Sequence, residues 1–236
     1  MAPYQTPNNQ GFTAEFIQLL NRHTPYSFEL ELVTRKHLDK FLADGEQGAV
    51  LFANPSWFGK GAENKYHWTP MILTDRNEVI SSRLKKIQYD GLGSLSGLMF
   101  GGVLGRKYHD LEEAFVAGDV SRYDVADEKE VLKLILGGRV DVTSIPRSMA
   151  LQLVKTVPNG QQLFFSDKPL FNFSRHIMLT NELGDVHGEL ARFIATLAHN
   201  SEWQNLLKKY HLSKNTQMLP GPQWHGEHPP MIEYLN

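Results

Sequence analysis

Arg147 lies near the end of GGRVDVTSIPRSMA at positions 137–150, a stretch in which most residues are small or apolar. The pattern is typical of a buried strand, a turn and a helix, and it places the arginine at the turn. A guanidinium is permanently charged and needs a partner in such surroundings, and its fork of N–H donors matches a carboxylate. We therefore predict that Arg147 faces a ligand.

A second arginine, Arg106, occupies the turn after another apolar run, LMFGGVLG at 98–105, with Tyr108 close by. Two arginines at neighbouring strand ends would form an anion-binding pair. The alternative is that each arginine bonds surface carbonyls or nearby acids such as Asp110.

Other kinds of chemistry have weaker support in the sequence. The segment WHGEHPP places His225, Glu227 and His228 together, but it lacks the helical i, i+4 spacing of a zinc hydrolase. There is no Gly-x-Ser-x-Gly elbow, and GLGSLSG lacks the final Gly-Lys-Ser/Thr of a phosphate loop. We expect no cofactor and no metal.

Composition narrows the possible partners. The 236 residues include 24 basic and 26 acidic residues, a balance that does not favour nucleic acid or an anionic membrane surface. With no cysteine, the chain has no disulfide and no cysteine nucleophile. No apolar span of about 20 residues occurs, so the chain is not expected to be embedded in a membrane. No signal peptide is recognisable, and we expect that one was removed or lies before Met1.

The N-terminal third alternates helix and strand patterns. GFTAEFIQLLNRH at 11–23 and RKHLDKFLADG at 35–45 have helical spacing of apolar residues. SFELELV at 27–33 alternates apolar and acidic residues, which predicts a strand, and GAVLFANP at 48–55 predicts a strand buried on both faces. This order predicts an α/β fold with a mainly parallel sheet.

The rest of the chain repeats the pattern after a glycine- and serine-rich break at 91–97, which we interpret as a lobe boundary. DEKEVLKLILGG at 127–138 predicts a helix that Asp127 caps. RVDVTSI predicts a strand, and PRSMALQLVK predicts a helix with Pro146 in its first turn. RHIMLTNE predicts a further strand, and two helices follow it, the second with capping-box spacing at Ser201 and Gln204. A proline-rich tail begins at residue 213.

The order of these elements resembles the bacterial periplasmic solute-binding proteins of family 3, the polar amino acid type, which serve ABC transporters. The resemblance covers residues 2–212 and depends on the order of several segments. These are APYQTPNNQGFTAEFIQLL, YHWTPMILTDRNEVISSR, LSGLMFGGVLGRKY, LILGGRVDVTSI and FFSDKPLFNFSRHIML.

The resemblance implies a two-lobed fold of the type II periplasmic binding protein class, with a hinge of two crossing strands near NEVISSR and FNFSRHIM. The first lobe would comprise residues 1–85 and 174–212, the second lobe residues 86–173, and the tail residues 213–236. The solute would be held in the cleft between the lobes, which close on it. Members of the family usually have a short strand before the Pro-Tyr turn, whereas only Met1 and Ala2 precede Pro3 here. If that strand is missing, we expect lower stability or pairing with another chain.

The resemblance also locates the ligand contacts. The family usually holds the α-carboxylate with an arginine after the GAVLFANP-like strand, where this chain has Trp57 and Phe58. It holds the α-ammonium with an aspartate after the RVDVTSI-like strand, where this chain has Pro146 or Arg147. The family also uses the helix start near Arg106 to hold an anionic group. Because an arginine attracts anions and repels an ammonium, an ordinary α-amino acid is no longer the default ligand.

Aromatic side chains are further candidates for contact with the solute. Tyr4, Trp57, Phe58 and Trp68 fall at turns that the family directs into its cleft, where a ring could stack on a planar or apolar solute. Aromatic residues are also common in protein cores. Asn54 and Thr69 could add polar contacts there, and both are equally explained as turn and cap residues.

Three functions are compatible with the resemblance. The first is the solute-binding protein of an ABC transporter in the periplasm, which captures a small polar or carboxylated solute and docks on an inner-membrane permease. The second is a ligand-sensing domain of a signalling protein. The third is a dehydratase-like enzyme, which needs a general acid such as His67 or His109. We expect a binding protein that is not an enzyme.

Overall fold

The computed structural model of the chain describes Tyr4 and residues 11–212. The chain divides into two compact units. Unit 1 comprises the residues up to Thr74 and those from Ser174 onward, and unit 2 comprises Asp75–Phe173. In the described residues, no helix is both long enough and apolar enough to span a bilayer.

Among the described residues up to Ser82 there are three α-helices and three strands. In chain order they are α1 (Phe12–His23), α2 (Arg35–Asp44), β1 (Ala49–Ala53), α3 (Ala62–Lys65), β2 (His67–Trp68) and β3 (Leu73–Ser82). The remaining elements are β4 (Met99–Val103), α4 (His109–Ala117), β5 (Ser121–Val125), α5 (Glu128–Leu136), β6 (Val142–Pro146), α6 (Arg147–Thr156), β7 (Leu163–Phe165), β8 (Phe171–Leu179), α7 (Gly184–Thr196) and α8 (Ser201–Lys209).

In unit 1, strands β1 and β2 both pair with β8, and both pairings are antiparallel. The prediction of a mainly parallel sheet is therefore wrong for this unit. The core lies between the sheet and helices α1, α7 and α8. There, Phe12 and Phe16 of α1 pack against Phe52 of β1, and Trp203 of α8 packs against both of them. The ring centres of Phe12 and Trp203 lie 5.6 Å apart, so α1 packs against α8 although the two helices are far apart in sequence.

The predicted strand at 27–33 is not found. Residues 26–34 have no strand pairing. Instead, Oδ1 of Asn21 accepts from the N–H of Phe28 at 2.8 Å, and Nδ2 of Asn21 donates to the C=O of Phe28 at 3.0 Å. The alternating pattern fits a strand, but a strand also needs a neighbour whose backbone it can pair with. No described strand takes that position.

In unit 2, β4 is the centre of a parallel arrangement with β5 and β6, while β3 pairs antiparallel with β6 and β7. One face of this sheet packs on a core that includes Val79, Phe100, Leu111 and Val142. Parallel pairing among the described strands is limited to this unit. The carboxyl ends of β4 and β6 therefore share one edge of the sheet.

Local capping signals explain the helix ends. Asp127 accepts from the N–H of Glu130 at 2.8 Å at the start of α5, which confirms the predicted cap. Gly45 ends α2 with φ of 76°, as glycine permits. The predicted capping box of α8 is wrong, because Asn200 is the cap and accepts from the N–H of Trp203 at 2.9 Å. Asn200 and Ser201 are both favourable cap residues, and the helix begins one residue earlier than a Ser201 cap would require.

Strands β3 and β8 each pass from one unit to the other without a break. The change of unit falls between Thr74 and Asp75 in β3, whereas the sequence places it at residue 85. The difference arises because β3 pairs with β6 and β7 from Asn77 onward, so its later residues belong to unit 2. The glycine-rich break at 91–97 lies inside unit 2 and includes a short 3-10 helix.

Candidate functional site

The carboxyl ends of β4 and β6 carry the two arginines that the sequence singles out. Arg106 follows β4, and Arg147 follows β6 as the first residue of α6. Ligands of open α/β sheets bind beyond the carboxyl ends of parallel strands. This edge of unit 2 is therefore the candidate site, and the environment of each arginine decides its role.

Arg147 bonds a glutamate that the sequence analysis did not single out. Its Nη1 donates to Oε1 of Glu78 at 2.5 Å, and Nε of Arg76 donates to the same oxygen at 2.7 Å. The Arg147 and Arg76 side chains are 32% and 33% exposed, whereas Glu78 is fully buried. We call Arg76, Glu78 and Arg147 the Glu78 cluster.

The Glu78 cluster has unused hydrogen-bonding capacity. In the described part of the chain, each guanidinium makes a single side-chain hydrogen bond, although a guanidinium carries five N–H donors. Oε2 of Glu78 is buried and accepts no hydrogen bond from a described residue. The cluster therefore combines outward-facing positive charge with one unused buried acceptor.

The carboxylate of Asp75 already accepts hydrogen bonds at the start of α6. Oδ1 of Asp75 accepts from the N–H of Ser148 at 3.3 Å, and Oδ2 accepts from its hydroxyl at 2.5 Å. Both groups are buried. This carboxylate fills the position that an external anion would take at the helix start, so any anion at this edge must be held by the arginine side chains.

Arg106 is buried and bonds an acid. Its Nη2 donates to Oε1 of Glu128 at 2.5 Å, and the two side chains are only 5% and 3% exposed. The two arginines bond different glutamates, which matches the alternative that each arginine bonds a nearby acid. Glu128 is the first residue of α5, where an acidic side chain also interacts favourably with the helix dipole.

Tyr108 and the backbone at the start of α4 also have their contacts within unit 2. The Tyr108 hydroxyl accepts from the N–H of Val103 at 3.1 Å, and its ring packs 4.8 Å from that of Phe100. Burial raises the pKa of Tyr108. Its backbone N–H donates to Oε1 of Glu112 at 3.0 Å, so this acid already takes a backbone donor at the helix start where the resemblance implied an anion.

In unit 1, a second cluster of candidate residues surrounds Arg175, and the sequence analysis missed it. The guanidinium of Arg175 lies 4.8 Å from the ring centre of Tyr4 and 5.4 Å from that of Trp57. Its Nη1 donates to the carbonyl of Phe52 at 3.2 Å. The signal for Arg175 was one charged residue within the apolar strand FNFSRHIML. The rings of Tyr4 and Trp57 thus contact an arginine of the protein itself.

Phe52 occupies a strained position in this cluster. Its φ of 55° lies in the left-handed region, which is rare for a bulky residue, and the β1–β8 register shifts between Val50 and Ala53. The irregularity allows the Phe52 ring to enter the core while its carbonyl reaches Arg175. Backbone strain of this kind persists only where the surrounding packing holds it.

Phe58 and Trp68 pack on each other within unit 1. Their ring centres are 5.8 Å apart in an edge-to-face arrangement, and the guanidinium of Arg35 lies 4.8 Å from the Phe58 ring centre. Nε1 of Trp68 donates to the carbonyl of Ala62 at 2.9 Å. Trp68 lies in strand β2, not in the predicted turn.

Asn54 and Thr69 both have structural roles. Asn54 caps the 3-10 helix Pro55–Phe58 by accepting from the N–H of Ser56 at 3.0 Å. Thr69 is buried, and its hydroxyl accepts from the N–H of Ile177 at 3.0 Å. The hydrogen bond of Asn54 matches the turn-and-cap alternative, whereas that of Thr69 joins the segment after β2 to β8.

The histidines considered for catalysis are placed as follows. The ring of His67 stacks on that of His187 at 5.2 Å, and its Nε2 is 3.2 Å from the carbonyl of Asn181. The side chain of His109, and the tail residues His225, Glu227 and His228, lie outside the described residues, as do Met1 to Pro3. In the described part of the chain, no three His, Asp or Glu side chains form a group that could hold a metal ion.

Comparisons with known proteins identify the fold. No family model matches the sequence, and no curated protein matches it in sequence. Among solved structures, an ancestral arginine-binding protein bound to arginine has a TM-score of 0.69 at 13% identity, over 89% of this chain and 93% of that chain. The substrate-binding protein of an amino acid ABC transporter has a TM-score of 0.64 at 14% identity, over 89% and 94% of the two chains.

A histidine kinase sensor domain with similarity to periplasmic binding proteins is similar too, with a TM-score of 0.67 at 13% identity over 89% of this chain and 91% of that chain. All three matches span nearly the whole length of both chains. The chain therefore has the α/β fold of the periplasmic binding protein-like amino-acid-binding and substrate-binding proteins that its sequence resembles.

Proposed function

We propose that this protein is the extracytoplasmic solute-binding protein of an ABC transporter, and that it captures a small polar or carboxylated, amino acid-like solute. The observation that carries the proposal is the Glu78 cluster at the carboxyl end of β6. Two guanidiniums share one carboxylate oxygen there, so the cluster has a net positive charge and outward-facing N–H donors.

This arrangement favours an anionic group on the solute. An arginine that already bonds one carboxylate is held in position, so less side-chain entropy is lost when it binds a second one. Arg76 and Arg147 are anchored on the same oxygen, so their remaining donors can converge on one anion. In this proposal Arg147 has the ligand-binding role predicted from the sequence, with Arg76 in place of Arg106 as its companion.

We further propose that the protein binds without turnover, in the periplasm, and delivers its solute to a permease complex in the inner membrane. Strands β3 and β8, which connect the units, would act as the hinge of the ligand-linked change.

A thermal-shift screen of amino acids, dicarboxylates and aromatic acids tests the proposal. A solute that binds the native state raises the melting temperature by mass action, and calorimetry then measures its affinity. We expect a carboxylated hit whose affinity falls at least about tenfold in Arg147→Gln and Arg76→Gln, since a charge-assisted hydrogen bond contributes about 1.5–3 kcal/mol. Arg139→Gln, an exposed arginine of the same unit, should bind as the wild type does.

A second candidate function is a sensor, which the similarity to the histidine kinase sensor domain favours. The two functions share the ligand site and differ in the partner. Genes for a permease and an ATPase beside this one would support the transporter, and solute uptake by the reconstituted complex would establish it. A kinase gene in that position, with no uptake, would instead support the sensor.

A further inference from the structure

Strand β5 lies at an open edge of the sheet in unit 2. In the order β3, β6, β4, β5 it pairs with β4 alone among the described strands, and each of its five residues takes part in that pairing. Ser121 and Asp124 are exposed, and Tyr123 is 53% exposed. An open edge carries backbone N–H and C=O groups that another strand can bond, so natural proteins usually protect it.

The other described strands that pair with a single neighbour have such protection. Strands β2 and β7 are only 2 and 3 residues long. Strand β1 of unit 1 has an irregular register between Val50 and Ala53, and Phe52 within it has a left-handed backbone. Short edge strands and bulges both hinder pairing with another chain. In contrast, the sequence SRYDV of β5 has no proline, glycine or lysine, and its register with β4 is regular.

The backbone groups that β5 directs outward belong to Arg122 and Asp124. The N–H of Ser121 and the C=O of Val125 bond the backbone just before and just after β4, at 3.0 and 2.8 Å, so both residues face β4. Alternate residues of a strand bond the same neighbour, so Tyr123 faces β4 as well. The two residues between them point their N–H and C=O away from β4, and no residue of the described ranges bonds these groups.

The side chains of the same two residues have opposite charges. Nε of Arg122 donates to Oδ1 of Asp124 at 2.7 Å, so both side chains lie on one face of β5. Nη1 of Arg122 has a 3.8 Å contact with Glu112, and Oδ2 of Asp124 has no hydrogen bond to a described residue, so both atoms can accommodate a further partner. The positive charge precedes Tyr123 and the negative charge follows it, which makes the strand complementary in charge to an antiparallel copy of itself.

From this symmetry we propose that β5 pairs with β5 of a second copy of the chain, antiparallel, about a two-fold axis beside Tyr123. Arg122 of each copy then lies opposite Asp124 of the other, and each such pair exchanges both of its outward backbone hydrogen bonds. The side chains of these pairs attract each other across the axis. The two Tyr123 residues form the non-hydrogen-bonded pair between them, where cross-strand side chains are closest.

This pairing does not depend on the proposed solute. The Glu78 cluster lies on β3 and at the end of β6, and β4 separates both of these strands from β5. An interface that consists mainly of one strand from each copy is small, and small interfaces are typical of weak, transient association. We therefore expect a dimer whose population rises with protein concentration.

Sedimentation velocity of the intact protein, from about 1 μM to about 1 mM, tests for this weak association. The wild type should show an equilibrium between monomer and dimer. Tyr123→Lys should raise the dissociation constant of the dimer at least about tenfold, because it replaces a cross-strand aromatic pair by two facing positive charges. Leu84→Lys is the matched control, since Leu84 is 89% exposed in the same unit and lies outside β5, and it should associate as the wild type does.

A single engineered cysteine tests the register of the pairing. The chain has no cysteine, so Tyr123→Cys introduces one unique thiol. In the proposed dimer this thiol faces its own copy at a Cα separation of about 4.5 Å, which a disulfide can span. Oxidised glutathione should convert Tyr123→Cys into a covalent dimer, whereas Leu84→Cys should remain mainly monomeric under the same conditions.

A wild type that stays monomeric over the whole concentration range would overturn the inference. A dimer that Tyr123→Lys does not weaken would also overturn it, because the second copy would then bind another surface. Equal cross-linking of Tyr123→Cys and Leu84→Cys would have the same meaning. If the lysine variant does not fold, the cysteine variant decides the question, since its side chain is smaller and uncharged.

Discussion

Nη1 of Arg147 lies 2.5 Å from Oε1 of Glu78, although 69 residues separate them in the chain. The arginine at the turn between β6 and α6 thus has its partner on the neighbouring strand β3. Because this partner is buried and shared with Arg76, Arg147 has a structural role in unit 2 as well as a role in the proposed site.

Arg147→Gln should lower the free energy of unfolding by about 1–3 kcal/mol, since it removes a charged donor from a buried acceptor. The retained Arg76 contact limits the loss. Urea denaturation monitored by circular dichroism measures it, and the exposed Arg139→Gln should stay within about 0.5 kcal/mol of the wild type. Equal midpoints for the two variants would mean that the Arg147–Glu78 pair adds nothing to stability.

Glu128→Gln should be more damaging, because both members of the Arg106–Glu128 pair are almost fully buried. Removing one partner of a buried ion pair costs about 3–5 kcal/mol. The same denaturation experiment applies, with the exposed Glu130→Gln of the same helix as control. A loss of less than about 1 kcal/mol would show that Arg106 finds another partner or reaches solvent.

Stability should fall on the acid side through His176. Burial lowers the pKa of this histidine, against a smaller opposite effect of its bond to the Thr69 carbonyl. Below about pH 6.5 the unfolded chain binds this proton more readily than the folded one, so the free energy of unfolding decreases as pH falls toward the folded-state pKa. Above pH 6.5 this contribution is constant.

The pH effect is measured by urea denaturation between pH 5 and 8. His176→Asn should lose less stability between pH 7 and 5 than the wild type, because its side chain has no proton to gain. The exposed His199→Gln is the control and should follow the wild-type profile. Parallel profiles for the wild type and His176→Asn would show that another group causes the acid loss.

Two glycine substitutions should have opposite effects. A Cβ at Gly160 would lie 2.1 Å from the carbonyl oxygen of Val154, so Gly160→Ala should destabilise unit 2. Gly188 lies within α7 and a Cβ there would meet nothing within 4 Å, so Gly188→Ala should stabilise by about 0.5–1 kcal/mol. Melting temperatures of the two variants check both signs, and a stabilised Gly160→Ala would show that the backbone there can move.

The elements that the sequence predicted well are those with local signals. Helix α5 begins at the Asp127 cap and ends at Gly137, and these two signals lie within about a dozen residues of each other. The strand expected at 27–33 failed because its pairing depends on a neighbour that is distant in sequence. Its backbone at Phe28 instead bonds the side chain of Asn21, which no strand pattern reveals.

The candidate site was predicted only in part for the same reason. The turn position of Arg147 follows from the strand and helix patterns around it, and the structure confirms that position. Its partner Glu78 and the partner of Arg106, Glu128, are 69 and 22 residues away in sequence. Nothing in the local pattern around either arginine identifies which acid the fold brings to it.

The continuity of unit 2 has a consequence for biosynthesis. Residues 75–173 form it as one uninterrupted stretch, whereas unit 1 needs chain from both sides of that stretch, including Trp203 of α8 against Phe12 of α1. Because domains fold as units during synthesis, unit 2 can complete its contacts on the ribosome while the N-terminal segment still waits for α7 and α8 to emerge. The nascent chain must therefore keep the apolar face of α1 from aggregating until α8 is made.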